Sequence, residues 1–422
     1  MPDSISFQMP LESDASPSPR SHGQGWRDGR WVAVALLAVQ LALFFQFSPQ
    51  LNVVQVAHRW GVLTVQPDFS DLYVIAAAGA AHKAGDDPYT VNVRDPYQRP
   101  YNYPPVWLYL WTSTPTAATV RLVALAMGAF SLAGLLLFVG PLDRHRGWLL
   151  GALLCSPPAI LAVQRGNTDV LILGLIAFAL VLLRRGQGAA GYAILTAATW
   201  LKLYPLAALV VLLREPRERL RRIGPAAITG ATLAFVVYAG YLGKLFANTP
   251  AGGLHSYGSR VPAFWLAFFL PAYGWSIDRV LAGRIFALLA VLLGLLALRL
   301  CRGRTPLALA TVSGTELDGF RAGAIIYFST FLLGVSFDYR LVFLLLAVPA
   351  LVSLAAGAAP GRSWGLAGLI LVFATMWPNG IFWKPLLIVK ETASWALFFT
   401  LTVLLVRTLP PEWGARLRLA QS

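Results

Sequence analysis

The segment that decides the fold runs from Val280 to Leu300 and reads VLAGRIFALLAVLLGLLALRL. Apart from Arg284 and Arg299 it contains only aliphatic, aromatic and glycine residues. A helix needs about 20 mostly apolar residues to cross the hydrocarbon layer of a bilayer, so this segment is predicted to span a membrane. Apolar runs of the same kind recur along the chain and predict an all-α, polytopic transmembrane helical bundle.

The composition supports lipid as the main solvent of this chain. Hydrophobic residues make up 57% of the 422 residues, charged residues make up 13%, and the mean hydropathy is +0.62. Soluble domains carry about 25% charged residues because water must wet their surface. The sequence therefore excludes a soluble globular enzyme.

The positive charge of the chain carries topological information. The formal net charge is +15, but the basic residues form short groups between apolar runs without interleaved aromatic residues. We therefore expect no nucleic-acid partner. Cys155 and Cys301 lie in or at the end of apolar runs and show neither a disulfide framework nor a metal-ligand spacing. We predict no metal and no other cofactor.

Twelve apolar runs are candidate spans, which predicts a bundle of about 12 helices. Pro115 is expected to break the longest run, either into a shallow hairpin or as a kink. The runs are 31–47, 106–139, 149–163, 170–183, 192–201, 203–213, 223–241, 280–300, 323–335, 341–356, 366–377 and 393–406.

The arginine clusters predict the orientation, since cytoplasmic loops are enriched in Lys and Arg. Placing both termini in the cytoplasm puts the arginines of 144–146, 184–185, 217–222, 302–304 and 407–418 inside. We predict a multi-pass protein of the plasma (inner) membrane. It has a disordered cytoplasmic tail over 1–30, without a cleavable signal, a membrane domain over 31–406 and a cytoplasmic tail over 407–422. Residues 48–104 then form a large first external loop.

Polar residues gather on the predicted external face, several of them at the rims of spans. Charges there are costly unless they serve a cavity or a partner, so we favour a functional external cavity over interfacial anchoring. The candidate substrate-binding residues are Asp68, Asp71, Tyr101, Tyr103, Arg165, Asn167, Asp169, Lys202, His255, Asp338 and Arg340.

The acidic candidates have competing interpretations. Asp71 opens a predicted helix that ends at Gly85, so it is either the N-cap or a general base. Asp68 competes for the role of base. Asp86 and Asp87 precede a proline and are typical of a turn.

The aromatic and cationic candidates also have competing interpretations. Tyr101 and Tyr103 are either interfacial anchors or platforms for a sugar ring or a lipid head. Asn167 can cap the next helix. Lys202 either snorkels to the interface or meets a phosphate at a helix break. Arg340 either clamps a phosphate or forms an ion pair with the nearby Asp338.

The chain has no phosphate-binding glycine loop and no nucleotide-binding fingerprint in a suitable context. No predicted cytoplasmic segment is long enough for a domain that binds a soluble nucleotide sugar. A group-transfer enzyme of this design would take its donor from the membrane, as a lipid.

Several spaced motifs resemble glycosyltransferase family 87 over roughly residues 68 to 350. They are Asp71-Leu-Tyr-Val, Gly85-Asp-Asp-Pro-Tyr89, Tyr103-Pro-Pro105, GNTDVLILGLIAFAL, LKLYPLAAL and SFDYRLVFLLL, in that order. Members of this family are C-type glycosyltransferases. The resemblance implies a multi-helix membrane fold and the use of polyprenyl-phosphate sugars, typically mannose, on the external face.

The resemblance also implies roles for individual residues. Asp71 would be the base that deprotonates the acceptor hydroxyl in an inverting transfer, and no metal is implied. Arg340, with Lys202 or Arg165, would neutralise the phosphate. Some relatives carry a histidine pair where this chain has Asp338-Tyr339-Arg340, so Arg340 would take the place of histidine.

The expected partners are the lipid bilayer, a polyprenyl-phosphate-linked sugar donor and a lipid or glycan acceptor. The competing class is a transporter or flippase of lipid-linked glycans. That class predicts internal repeats and polar residues at mid-membrane, whereas here the polar groups gather on one face. A glycan polymerase or ligase differs only in the length of its acceptor.

Overall fold

The computed structural model describes residues 28–111, 114–250, 256–301, 311–378 and 384–409, and these ranges are almost entirely helical. The α-helices are α1 Arg30–Phe47, α2 Val53–Trp60, α3 Ser70–Lys83, α4 Val106–Leu110, α5 Ala117–Val139, α6 Arg144–Leu154, α7 Pro157–Gln164, α8 Thr168–Arg184, α9 Gly188–Leu201, α10 Arg217–Val237, α11 Ala239–Asn248, α12 Val261–Phe269, α13 Arg279–Cys301, α14 Gly314–Leu332, α15 Val348–Ala356, α16 Gly361–Met376 and α17 Lys384–Arg407. Four 3-10 helices cover Ser48–Gln50, Tyr204–Arg214, Leu270–Tyr273 and Asp338–Leu346. Two short strands, β1 Ser256–Tyr257 and β2 Ser336–Phe337, pair antiparallel.

The all-α membrane class is confirmed, whereas the count of about 12 spanning helices is not. Within the described residues, five helices are long and apolar enough to cross a membrane, or up to seven if two bent helix pairs each count as one span. The bent pairs are α6 with α7, at 56°, and the 3-10 helix Asp338–Leu346 with α15, at 51°.

The surface of α13 is typical of a lipid-facing helix. Leu281, Leu288, Leu292 and Leu295 each expose at least half of their surface. Small residues on α13, Ala290 among them, are buried. A large apolar surface on one helix indicates contact with lipid rather than water.

The break that Pro115 is expected to cause is present. α4 ends at Leu110, and α5 begins after Thr116, whose side chain accepts a hydrogen bond from the Thr119 amide and caps the helix. The run 106–139 is therefore a five-residue helix followed by one long helix. The prolines before Val106 open this short helix and not a span.

The external loop predicted over 48–104 is a folded unit. It contains α2 and α3, and α3 packs against α4. A separate hydrophobic cluster joins Tyr89, Tyr101, Tyr103 and Trp107 to α3. The turn interpretation of Asp87 is confirmed, since its carboxylate accepts hydrogen bonds from the Tyr89 amide and the Thr90 hydroxyl.

Candidate residues and arginine clusters lie at opposite ends of the helices. Asp169 is in the first turn of α8 and Arg184 ends it, about 22 Å further along the axis. The 3-10 helix Tyr204–Arg214 repeats this order, and Arg214 forms a salt bridge with Asp318 near the start of α14. The two bent pairs meet, because α7 packs against the 3-10 helix Asp338–Leu346.

The contact between α5 and α8 yields a stability prediction. A Cβ atom at Gly134 would lie 2.9 Å from the carbonyl oxygen of Gly174 and from the Phe178 ring. Gly134→Leu should therefore lower the thermal midpoint of the detergent-solubilised protein, since overpacking costs about 1–3 kcal/mol.

Gly128, also on α5, is the matched control, because a Cβ atom added there would have no heavy atom of another residue within 4 Å. Gly128→Leu should leave the midpoint unchanged. Equal midpoints for the two variants would contradict the close packing of α5 on α8.

Candidate functional site

Asp71 lies in the first turn of α3, but it does not cap the helix. The residue before the helix is Phe69, whose φ of 63° turns the chain into α3 without a side-chain cap. The Phe69 amide donates to the Gln164 carbonyl at 2.7 Å, and the Asp71 amide donates to the Arg165 carbonyl at 2.9 Å. The predicted N-cap role of Asp71 is wrong. The helix end at Gly85 is confirmed, since α3 runs to Lys83 and Gly85, with a φ of 93°, follows its C-cap and donates to the His82 carbonyl at 3.0 Å.

The Asp71 carboxylate is held by Arg165 and Asn167. Arg165 donates from Nη2 to Oδ1 at 2.6 Å and from Nε to both oxygens at 3.1 Å. Asn167 donates from Nδ2 to Oδ2 at 2.6 Å. Burial raises the pKa of Asp71, but the charge and hydrogen bonds of Arg165 and Asn167 outweigh burial and hold this pKa below its usual range. Asp71 is therefore ionised at neutral pH.

Asn167 links two acidic residues. Its Oδ1 accepts from the Asp169 amide at 2.9 Å, so the predicted capping of α8 is confirmed. The same oxygen accepts from Lys202 Nζ at 3.0 Å, while the amide nitrogen donates to Asp71. One side chain thereby connects the start of α3, the start of α8 and the end of α9.

Lys202 is buried and does not snorkel. Lys202 is only 9% exposed, and its Nζ forms a salt bridge with Oδ1 of Asp169. Tyr204 donates from its hydroxyl to the same oxygen. The predicted break at Lys202 is present, since α9 ends at Leu201 and Lys202 has an extended backbone. The ammonium also lies 5.5 Å from the ring centre of Tyr103.

Arg340 approaches the same cluster from the other side. Its Nη1 donates to the Ser336 hydroxyl at 3.1 Å, its Nε lies 3.7 Å from Oδ2 of Asp169, and its guanidinium stacks over the Tyr204 ring at 5.3 Å. Ser336 belongs to β2, so the pairing of β2 with β1 supports the segment that carries Arg340.

Asp338 has a different partner from the one considered in the sequence. It forms a salt bridge with Lys390 of α17, and Lys390 also donates to the Ser256 carbonyl at 3.4 Å. The described contacts of Arg340 are with Ser336, Asp169 and Tyr204. The alternative of an Arg340–Asp338 pair is therefore wrong in this structure.

The remaining candidates lie around the cluster or outside it. Asp68 accepts from Gln164 Nε2 at 3.0 Å and is partly exposed. Tyr101 is completely buried and donates to the Pro104 carbonyl at 3.1 Å, a placement that favours a packing role. His255 lies outside the described residues.

Three residues of the site were not singled out in the sequence. Tyr204 lies within the LKLYP motif, two residues after Lys202. Lys390 is a charged residue inside an apolar helix, a signal that could have identified it. Arg99 lies 3.9 Å from Asp71, but it is paired with Asp95 at 2.7 Å, and no local pattern marks it.

The site carries an excess positive charge. Arg165, Lys202 and Arg340 supply three positive charges, while Asp71 and Asp169 supply two negative charges. Arg99 is balanced by Asp95, and Asp68 is not counted because it is partly exposed and its described hydrogen bond is with Gln164. A buried charge without a counter-charge is unfavourable, so a site with net charge +1 is suited to a monoanionic ligand.

The Lys202–Asp169 pair yields a second stability prediction. Lys202→Met should leave the buried Asp169 carboxylate without its salt-bridge partner, and removing one partner of a buried pair costs about 3–5 kcal/mol. We expect a large drop in the thermal midpoint of the solubilised protein.

Lys244 is the matched control. Its salt bridge with Asp87 is also direct, at 2.8 Å, but both side chains are 49% exposed. Exposed pairs contribute about 0–1 kcal/mol, so Lys244→Met should have little effect. A drop for Lys202→Met no larger than that for Lys244→Met would show that the buried pair does not hold the cluster together.

Comparison with known proteins identifies the family. No curated protein and no solved structure matches the chain significantly. The model of glycosyltransferase family 87 matches residues 101–317, which is more than half of the 422 residues. The matched segment includes Arg165, Asn167, Asp169 and Lys202, whereas Asp71 and Arg340 lie outside it. The chain belongs to glycosyltransferase family 87.

Proposed function

We propose that this glycosyltransferase moves a hexose, with mannose favoured, from a polyprenyl-phosphate donor to a lipid or glycan acceptor. The transfer inverts the anomeric carbon, and Asp71 is the general base. The acceptor hydroxyl and the donor meet at the cluster of Asp71, Asp169, Lys202 and Arg340.

The excess positive charge of this cluster is the observation that supports the proposal most strongly. A polyprenyl-phosphate sugar is a phosphodiester and carries one negative charge, which matches the net charge of +1. The described hydrogen bonds of Lys202 use two of its three N–H donors. Arg340 adds a planar group of donors that suits phosphate oxygens. These two residues are the proposed phosphate ligands.

The proposed reaction needs one base and one leaving group. The acceptor oxygen attacks the anomeric carbon as the bond from that carbon to the phosphate oxygen breaks. The hydroxyl proton passes to the Asp71 carboxylate and then to water, and the electron pair of the broken bond leaves with polyprenyl phosphate. Lys202 and Arg340 stabilise the charge that develops on the phosphate, an electrostatic contribution that is often the largest in catalysis.

We further propose that the site faces the external side of the plasma membrane and that both termini are cytoplasmic. The separation of the candidate residues from Arg184 and Arg214 along their helices supports this orientation, because cytoplasmic ends are enriched in arginine. The proposed external loop is then the unit that holds Asp71.

The family favours this function over that of a transporter or flippase. A binding site for a lipid-linked glycan could also carry positive charge. The ionised Asp71 beside that charge, however, matches the need of glycosyl transfer for a base.

The first test is transfer of radiolabelled mannose from polyprenyl-phosphate mannose to a lipid extract of the native host. Wild-type protein should label a new product, and Asp71→Asn should reduce kcat by about 10²- to 10⁴-fold, the usual contribution of a general base.

Asp68→Asn is the matched control and should retain most of the activity. The opposite pattern, with activity lost in Asp68→Asn and kept in Asp71→Asn, would assign the base to Asp68. Absence of transfer and of donor hydrolysis with wild-type protein and several polyprenyl sugars would favour the transporter.

The pH dependence of kcat/KM tests the pairing of Asp71 with Arg165. A base works when deprotonated, so activity is present above the pKa of Asp71 and is lost as the pH falls through it. Wild-type activity should persist below the usual aspartate range, since Arg165 lowers this pKa. In Arg165→Gln the charge of Arg165 no longer offsets the rise in the Asp71 pKa that burial causes. The acidic limb of the pH profile of kcat/KM should therefore move to higher pH. An acidic limb at the same pH in both proteins would exclude Asp71 as the group that titrates.

A further inference from the structure

Two buried polar atoms of the cluster face each other without hydrogen-bond partners. Within the described residues, Oδ2 of Asp169 and Nε of Arg340 accept or donate no hydrogen bond, and they lie 3.7 Å apart. Asp169 is completely buried, and the side chain of Arg340 is 17% exposed. They form a long ion pair, and because buried polar atoms are almost always hydrogen-bonded in folded proteins, this pair leaves one donor and one acceptor with unused hydrogen-bonding capacity.

The two atoms restrict the chemistry of a ligand group that would satisfy both. An atom that enters between them can lie about 2.8 Å from each, and its entry must part the two side chains, because neither atom is open to solvent here. This atom must accept from Arg340 and donate to Asp169. A hydroxyl does both, whereas a phosphate oxygen would be repelled by the carboxylate.

We propose that Asp169 and Arg340 together bind the 2-hydroxyl group of the donor hexose and thereby select the sugar. This inference rests on the proposed function. Other N–H groups of Arg340 are proposed to bind the phosphate. A hydroxyl that binds Nε of the same guanidinium must therefore lie only a few ångströms from the phosphate. In a hexosyl phosphate the hydroxyl on the carbon next to the anomeric carbon meets this condition. Its configuration distinguishes mannose from glucose.

Tyr204 is the positioning residue of this pair. Its hydroxyl donates to Oδ1 of Asp169, as Lys202 does, which leaves Oδ2 directed away from both donors. The Tyr204 ring also supports the guanidinium of Arg340 at 5.3 Å. Tyr204 thus orients both the Asp169 carboxylate and the Arg340 guanidinium, the two groups of the proposed hydroxyl site.

The test compares three synthetic donors with purified full-length protein: polyprenyl-phosphate mannose and its 2-deoxy and 4-deoxy analogues. The measured quantity is the ratio of kcat/KM for mannose to that for each analogue. Comparing this ratio between variants cancels the intrinsic reactivity of each donor. Asp169→Asn should lower the ratio for the 2-deoxy donor by about 10- to 100-fold, the value of one hydrogen bond to a charged group. The ratio for the 4-deoxy donor should not change.

Tyr204→Phe and Asp87→Asn complete the design. Tyr204→Phe should lower the 2-deoxy ratio by less than Asp169→Asn does, and it supplies the test if Asp169→Asn does not fold. Asp87 is an exposed aspartate in the external loop, and Asp87→Asn should leave both ratios unchanged. A general loss of structure would lower activity for all donors alike and leave the ratios intact.

The outcomes separate this inference from the proposed function. Lack of transfer by the wild-type protein with all three donors would overturn the proposed function itself. Transfer with a 2-deoxy ratio that is the same in wild type, Asp169→Asn and Tyr204→Phe would overturn only the hydroxyl site. A change in the 4-deoxy ratio alone would show that the pair binds a different hydroxyl.

Discussion

The structure depends on the cost of burying charge. Asp71 and Asp169 lie at the starts of two helices, and both would be strongly unfavourable in an apolar interior without cations. Arg165 and Lys202 supply those cations, and the Asn167 amide joins the two pairs. The start of α3, the end of α7, the start of α8 and the end of α9 therefore meet at one buried polar cluster.

The same constraint explains why the helices are interrupted where they are. Lys202 has an extended backbone between α9 and a 3-10 helix, and Arg340 lies in the first turn of another 3-10 helix. 3-10 helices of 11 and 9 residues are uncommonly long, and long ones often mark functional segments. Irregular backbone in a membrane protein is tolerated where it borders a polar cavity or is buried in protein, and here the extended Lys202 lies in the buried polar cluster.

Most of the cluster can be predicted from the sequence, because a charge in an apolar run is rare and visible in one dimension. Arg165, Asp169 and Lys202 stand out in this way. Their pairing cannot be predicted, since it depends on how bent helices return to the same point. The sequence suggests a cap at Asp71 because local sequence does not show that Phe69 turns the chain into the helix. Tyr204 does not stand out in the sequence because tyrosines are common near membrane surfaces. The number of spans is hard to predict for a physical reason as well: short and bent helices cross less than a full bilayer each.

The most direct test of this site is an experimental structure of the protein in a lipid nanodisc with polyprenyl-phosphate mannose bound. We expect the phosphate within hydrogen-bond distance of Lys202 and Arg340, with the hexose between the phosphate and the Asp71 carboxylate. A donor phosphate bound away from both cations, or at the arginine-rich end near Arg184, would contradict the assignment of this cluster as the site of transfer.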